Sequence, residues 1–239
     1  MEILNVVQFN RVPILQQLKW EEALLRADHR NWCLINQGSP PAIVMGISGK
    51  IAELVDRDKL QEAPLPVIRR FSGGGTVVVD ENTLFITFIC NAATLPIAPY
   101  PLPIMRWTQE LYEPVFHPHS FQLRENDYVI GHKKFGGNAQ SIVKNRWLHH
   151  SSLLWDYSSA YMDYLLMPPK MPTYREKRSH ADFLCCLKDL WPSPQTFQTT
   201  FLHRLAQQFT VQEQPLSLLT QIAALPHRQA TEVIAIGKQ

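Results

Sequence analysis

Residues 69–80 read RRFSGGGTVVVD, and this stretch is the best equipped for chemistry. Gly73, Gly74 and Gly75 have no Cβ, so their backbone bends freely and lets a ligand come close. Arg69 and Arg70 put fixed positive charge at the lip of that loop, and Thr76 leads into Val77, Val78 and Val79, which favour a strand. Backbone N–H groups and an arginine in this arrangement suit a phosphate or a carboxylate. A triple glycine also makes an ordinary hairpin turn, so the stretch alone leaves both readings open. The common nucleotide loops are excluded. There is no G-x-G-x-x-G, and the Gly49-Lys50 pair has Val44 five positions before Gly49 and Ile51 after Lys50.

A second stretch, residues 124–140, reads RENDYVIGHKKFGGNAQ. Asn126-Asp127 stands just before a predicted strand, where an aspartate holds a metal or caps a turn. Lys133 and Lys134 precede Gly136-Gly137-Asn138, which we expect to form a second glycine turn. A Lys-Lys pair alone reads as a solvated face. Two glycine loops bordered by cations within one β-rich half point to a shared anion site instead. His149 and His150 are adjacent, so on a strand they face opposite ways, which argues against a common zinc ion. We expect structural roles for them, with one hydrogen-bonded near the pocket.

The elements that must position these residues follow from periodicity. Residues 14–27 repeat apolar residues at helical spacing, with Glu22 expected at the edge of the stripe. Short strands are predicted over 32–36, 42–47, 76–79 and 84–90. Pro96, Pro99, Pro101 and Pro103 predict a stiff connection, followed by a helix from Ile104 to about Tyr112. Strands at 128–130, 138–143 and 147–155 are joined by turns short enough for antiparallel hairpins. Beyond Asp156 the pattern turns helical. Phe197, Phe201, Leu205 and Phe209 make one core-facing stripe, Phe183 to Leu190 suggest another helix carrying Cys185 and Cys186, and a last strand is expected at 231–236. The sum is an α+β fold with a mixed, largely antiparallel β-sheet flanked by helices.

Composition sets the outer limits. The chain has 239 residues, 45% of them apolar, and a net charge of +2 from 23 basic and 21 acidic residues, so no nucleic-acid footprint is present. Cys33, Cys90, Cys185 and Cys186 show no metal spacing and suggest a reducing compartment. Neither a secretory signal nor a run of 18 apolar residues is visible, so we expect a cytoplasmic protein without a membrane span.

Taken together, the motifs Arg69–Val77, Asn126-Asp127 with Lys133–Gln140, and His149–Leu154 resemble the lipoate–protein ligase family, over roughly residues 1–185. The helix bearing Glu21-Glu22 is similar too. The resemblance implies the fold shared with biotin protein ligases and class II aminoacyl-tRNA synthetases. A catalytic domain would cover residues 1–185, and a helical segment, 186–239, would pack on it. It also implies a two-step reaction, in which ATP activates lipoate as lipoyl-AMP and the acyl group then passes to a lysine. The acceptors implied are lipoyl domains of 2-oxoacid dehydrogenases or the glycine-cleavage H protein. Some relatives activate with the help of a separate small accessory protein.

Carried over by motif, Arg70 and Gly75-Thr76-Val77-Val78 would contact the nucleotide, and Ser72, Asn126 and Asn138 belong to the same site. Gly73, Gly74, Gly136 and Gly137 would shape the pocket. Lys134 would touch both the lipoyl carbonyl and the α-phosphate. That role is physically sensible, because a carboxylate and a phosphate about 4 Å apart repel by about 1 kcal/mol in water and by more in a dry site. A lysine between them cancels the repulsion. Asp127 would meet Mg²⁺ brought with ATP, and Val77, Val79 and residues 84–89 would line a tunnel for the dithiolane tail. The alternative is a transferase of lipoyl or octanoyl groups without ATP chemistry. Several such enzymes use a cysteine, but Ser120 precedes Phe121 here, and none of the four cysteines has an activating setting. The basic cluster Lys170, Arg175, Lys177, Arg178 and His180 reads as a solvated loop, as a patch that steers an acidic acceptor, or as a segment that closes over the adenylate.

Overall fold

The computed structural model describes residues 1–168, 171–176 and 178–235. Its strands are β1 (Ile3–Asn10), β2 (Trp32–Gln37), β3 (Ala42–Met45), β4 (Val67–Arg69), β5 (Val77–Val79) and β6 (Thr83–Asn91), followed by β7 (Phe121–Arg124), β8 (Asp127–Ile130), β9 (Lys133–Val143), β10 (Arg146–Leu154), β11 (Thr210–Glu213) and β12 (Glu232–Val233). Four longer helices cover them: α1 (Ile14–Ala27), α2 (Pro101–Phe116), α3 (Pro194–Gln208) and α4 (Leu216–Ala223). The large sheet runs β11-β1-β2-β6-β10-β9-β8-β7, and a small one runs β12-β4-β3-β5. In the large sheet β1 is parallel to both β11 and β2, and every other pair is antiparallel. This is the mixed, mostly antiparallel α+β architecture expected.

Alternation along the central strands decides the layering. Leu84, Ile86 and Phe88 of β6 face a core shared with α2 and α3, whereas Phe85 and Ile89 face α1, α4 and the small sheet. The large sheet is therefore covered on both faces. The Phe197–Phe201–Leu205 stripe of α3 is fully buried against it, with the Phe201 ring stacked 5.2 Å from that of Tyr112.

Several expectations need correction. Pro101 and Pro103 do not precede a helix but open one. The first N–H groups of a helix have no intrahelical partner, so proline is tolerated there, and α2 runs on to Phe116. Gly136 and Gly137 form no turn, because they lie inside β9. A Cβ at Gly136 would come within 2.7 Å of Leu153 Cδ2 and 3.3 Å of Tyr128, so the glycine permits close packing rather than bending. Cys185 and Cys186 are not helical and follow a short helix that ends at Phe183. Glu22 is buried rather than marginal, accepting from Arg26 and from the N–H groups of Ala230 and Thr231. The last strand is limited to Glu232–Val233, paired with β4.

Phe201→Ala would remove a fully buried ring from the α2–α3 core. We expect a loss of about 3–5 kcal/mol in urea unfolding, and a loss below about 1 kcal/mol would contradict this packing.

Candidate functional site

Between the small sheet, α1 and strands β9 and β10 lies a cavity of about 610 Å³. Of the residues singled out from sequence, Arg70, Gly73 to Val78, Asn126, Asp127, Lys134 and Gly136 to Asn138 all line it. Ser72 does not; it is buried beneath the loop. Val77, Val79 and Phe85 contribute apolar wall, together with Leu18. Within residues 84–89 only Phe85 and Thr87 face the cavity, since alternate positions point into the opposite core.

Lys134 enters from β9 at an irregularity in its pairing with β8. Val129 pairs with Lys134 and Tyr128 with Gly136, leaving Phe135 as an extra residue. Such bulges bend a strand and re-aim side chains. Lys134 Nζ forms an ion pair with Asp127 Oδ1 at 2.7 Å, and Tyr174 donates its hydroxyl to Asp127 Oδ2 at 2.9 Å. A Cβ at Gly137 would lie 3.5 Å from Lys134 Nζ, an ordinary contact that places this residue directly beside the ammonium.

The triglycine loop is held from below. Arg70 is buried, and its Nη2 donates to the carbonyls of Gly73 at 2.8 Å and Gly75 at 2.9 Å. Burial pushes the guanidinium down to about 10 despite the attraction of Glu21, so it stays charged at neutral pH. Arg70 thus shapes the loop with donors that sequence reasoning assigned to a ligand. Gly74 has φ +103°, and a Cβ there would sit 2.7 Å from Arg70 Nη2. A Cβ at Gly46 would collide with the carbonyl of Gly74, a close approach not evident from the sequence. Gly73 and Gly75 face open space.

Arg70 Nε also donates to Ser72 Oγ, which bonds His150 Nε2 at 2.9 Å, while His150 Nδ1 bonds Glu21 Oε2 at 2.8 Å. Glu21 is fully buried and accepts further bonds from Gln17 and Thr87. The order Ser–His–Glu has the form of a nucleophile, a base and an orienting acid. With Ser72 away from the cavity wall, however, no carbonyl can reach it, and the chain ties α1 to the glycine loop. Sequence reasoning noted Glu21 only through its helix. His149 faces the other way, as the alternation required. Gln140 bonds its Nδ1, and Tyr128 its Nε2, both at 3.0 Å. Burial, reinforced by the neighbouring His150, pushes His149 down to about 3.

Thr76 Oγ1 is a buried atom of a wall residue with no partner among the described residues, as suits contact with a polar ligand. The donor set does not fit a magnesium ion held by the protein. Both oxygens of Asp127 are engaged by Lys134 and Tyr174, and Glu125 Oε1 accepts from the N–H groups of Thr173 and Tyr174. The described residues contain no cluster of three or more metal-ligating side chains. Of the basic cluster, Arg175 and Arg178 are engaged by the protein rather than left to solvent. Arg175 is buried over the Phe183 ring, and Arg178 donates to the carbonyls of His132 and Tyr174. Lys170, Lys177 and the side chain of His180 lie outside the described residues. Cys33 and Cys90 are buried with their thiols pushed well up, and burial with nearby Asp156 raises Cys186 to about 12, so none is poised as a thiolate.

Comparison with known proteins bears on the same region. The family model described as the lipoyl protein ligase A/B catalytic domain matches residues 13–210. A Plasmodium falciparum protein named inactive lipoate–protein ligase 2 is 27% identical over 259 residues, covering 82% of this chain and 67% of that protein. Other curated relatives are matched over smaller shares of their length, 34% for a Staphylococcus aureus lipoate–protein ligase and 50% for a Mycoplasma genitalium one. Among solved structures, a lipoate-protein ligase A bound with ATP superposes with a TM-score of 0.75 at 16% identity, covering 93% of both chains. A bipartite lipoate protein ligase from Thermoplasma acidophilum, studied with its E2 lipoyl domain, has a TM-score of 0.73 at 16% identity and covers 93% of this chain and 91% of its own. At these identities the structures show a shared fold.

The burial of His149 has a consequence for stability. An unfolded chain takes up a proton on this residue near 6.5, the folded chain only near 3, so stability falls as pH drops through that window. Between pH 7 and pH 5 this residue's share is about 2 kcal/mol. Urea unfolding at both pH values is expected to show His149→Gln losing less than the parent by that amount; equal losses would contradict a buried neutral ring.

Proposed function

Because the chain belongs to the lipoyl protein ligase A/B catalytic-domain family, we propose that it is an ATP-dependent lipoate–protein ligase. It activates lipoate as lipoyl-AMP, releases pyrophosphate, and transfers the acyl group to a lysine of a lipoyl domain. One observation carries this reading: Lys134 and the triglycine loop open onto a single cavity that has an apolar wall and a buried polar floor. A fatty acid and a nucleotide could meet there only if a cation separates their charges. Lys134 supplies that cation and stabilises the charge that builds on the α-phosphate and the acyl carbonyl.

The remaining residues take supporting roles in the proposal. The backbone of Gly73, Gly75, Thr76, Val77 and Val78 faces the nucleotide, with Thr76 Oγ1 free to bond it. Arg70 and Ser72 hold the loop. Asn138 Oδ1 accepts from Ser151, and its Nδ2 donates to the Asn126 carbonyl, which fixes the strand beside Gly136 and Gly137. Asp127 holds Lys134. The catalytic unit takes in more than residues 1–185, since α3 fills its core and β11 extends its sheet. Lipoyl domains of 2-oxoacid dehydrogenases or the glycine-cleavage H protein are the acceptors that the family resemblance implies. The need for ATP and the four free cysteines favour a cytoplasmic setting. The upward-shifted thiols, including that of half-buried Cys185, speak against a cysteine transferase.

Incubating the purified chain with lipoate and ATP, without acceptor, tests the proposal. Accumulation of lipoyl-AMP supports it. No lipoyl-AMP, together with transfer from an acyl carrier protein, would establish the ATP-independent alternative. Formation only after adding a second protein would place activation in a partner. Lys134→Ala is expected to lower lipoyl-AMP formation by roughly 10²-fold or more, and near-normal rates in that variant would remove Lys134 from the mechanism.

A further inference from the structure

We propose that Tyr174 is a positioning residue for this reaction, acting on Lys134 through Asp127; the inference rests on the ligase reading above. No sequence motif drew attention to Tyr174. The structure divides one carboxylate between two partners. Asp127 Oδ1 takes the Lys134 ammonium at 2.7 Å, and Oδ2 takes the Tyr174 hydroxyl at 2.9 Å. A carboxylate held on one oxygen can rotate and exchange partners. Held on both, it has one orientation, and the lysine has one place to rest.

Tyr174 itself is restrained from every side. Its N–H and that of Thr173 both point at Glu125 Oε1, and Arg178 Nη2 donates to its carbonyl at 2.7 Å. Its ring lies 5.2 Å from that of Phe183, and the Arg124 guanidinium stands 5.9 Å from its centroid. Burial and the neighbouring Asp127 keep the phenol protonated, so the hydroxyl remains a donor. Lys134 is thereby held in one place before an incoming carboxylate and phosphate arrive.

A double-mutant cycle separates this role from simple packing of the segment. Tyr174→Phe is expected to lower kcat for lipoyl-AMP formation about tenfold, with KM for ATP and lipoate within about twofold of the parent. Asp127→Asn is expected to cost at least as much, and the double variant no more than Asp127→Asn alone. Additive losses, or an effect confined to KM, would overturn the proposal. Labelling of the Lys134 amine by an acylating reagent, read by mass spectrometry, gives the same answer without turnover. It should quicken about tenfold in each single variant and no further in the double, and unchanged labelling in Tyr174→Phe would equally overturn it. A parent chain that forms no lipoyl-AMP counts against the ligase reading, while the labelling still decides whether Tyr174 positions Lys134.

Discussion

A lysine can sit between two anions only if something holds it in place before they arrive. A free lysine side chain samples many rotamers, and ordering it would offset much of the attraction it offers. Here the Lys134–Asp127 ion pair supplies that order. It lies at the cavity wall, with Lys134 about a quarter exposed and Asp127 nearly buried. A largely buried pair of this kind adds little net stability, because stripping water from both charges offsets much of their attraction. Its value is geometric, because it fixes the ammonium at the point where the glycine loop and β9 come together.

The same preorganisation extends under the loop. Arg70, Ser72, His150 and Glu21 form one hydrogen-bonded chain from the loop carbonyls to α1. Arg70 spends its donors on the carbonyls of Gly73 and Gly75, and beyond the adjoining residues no heavy atom lies within 4 Å of where a Cβ on either glycine would stand. Glycine at 46 and 74 lets the two backbones approach, and glycine at 136 lets β9 close onto Leu153 and Tyr128. Binding then requires little rearrangement of the protein, which favours interactions made in the transition state.

How much of this was legible in the sequence depended on how local its cause was. The helix over residues 14–27 and the stripe of α3 follow from apolar spacing alone, and both stand as read. The opposite orientations of His149 and His150 follow from strand alternation. The paired glycines at 136 and 137 misled, because Gly-Gly signals a turn locally, whereas the need for space at Gly136 comes from Leu153 and Tyr128 across the sheet. Glu21 was undervalued for a similar reason: its partners Thr87 and His150 lie 66 and 129 residues away. Strand β11 is mostly exposed and has no apolar alternation, so only its pairing with β1, some two hundred residues distant, reveals it. Tyr174 was invisible because its significance lies wholly in what it touches.

The most direct test of the account is a crystal structure of the chain with a non-hydrolysable lipoyl-adenylate analogue. The account requires the analogue in the cavity between the triglycine loop and β9, with Lys134 Nζ about 3 Å from both the acyl carbonyl oxygen and the phosphate, and with Asp127 still facing the amine. An analogue bound in that cavity with Lys134 turned away from the acyl–phosphate junction, or bound elsewhere on the molecule, would contradict it.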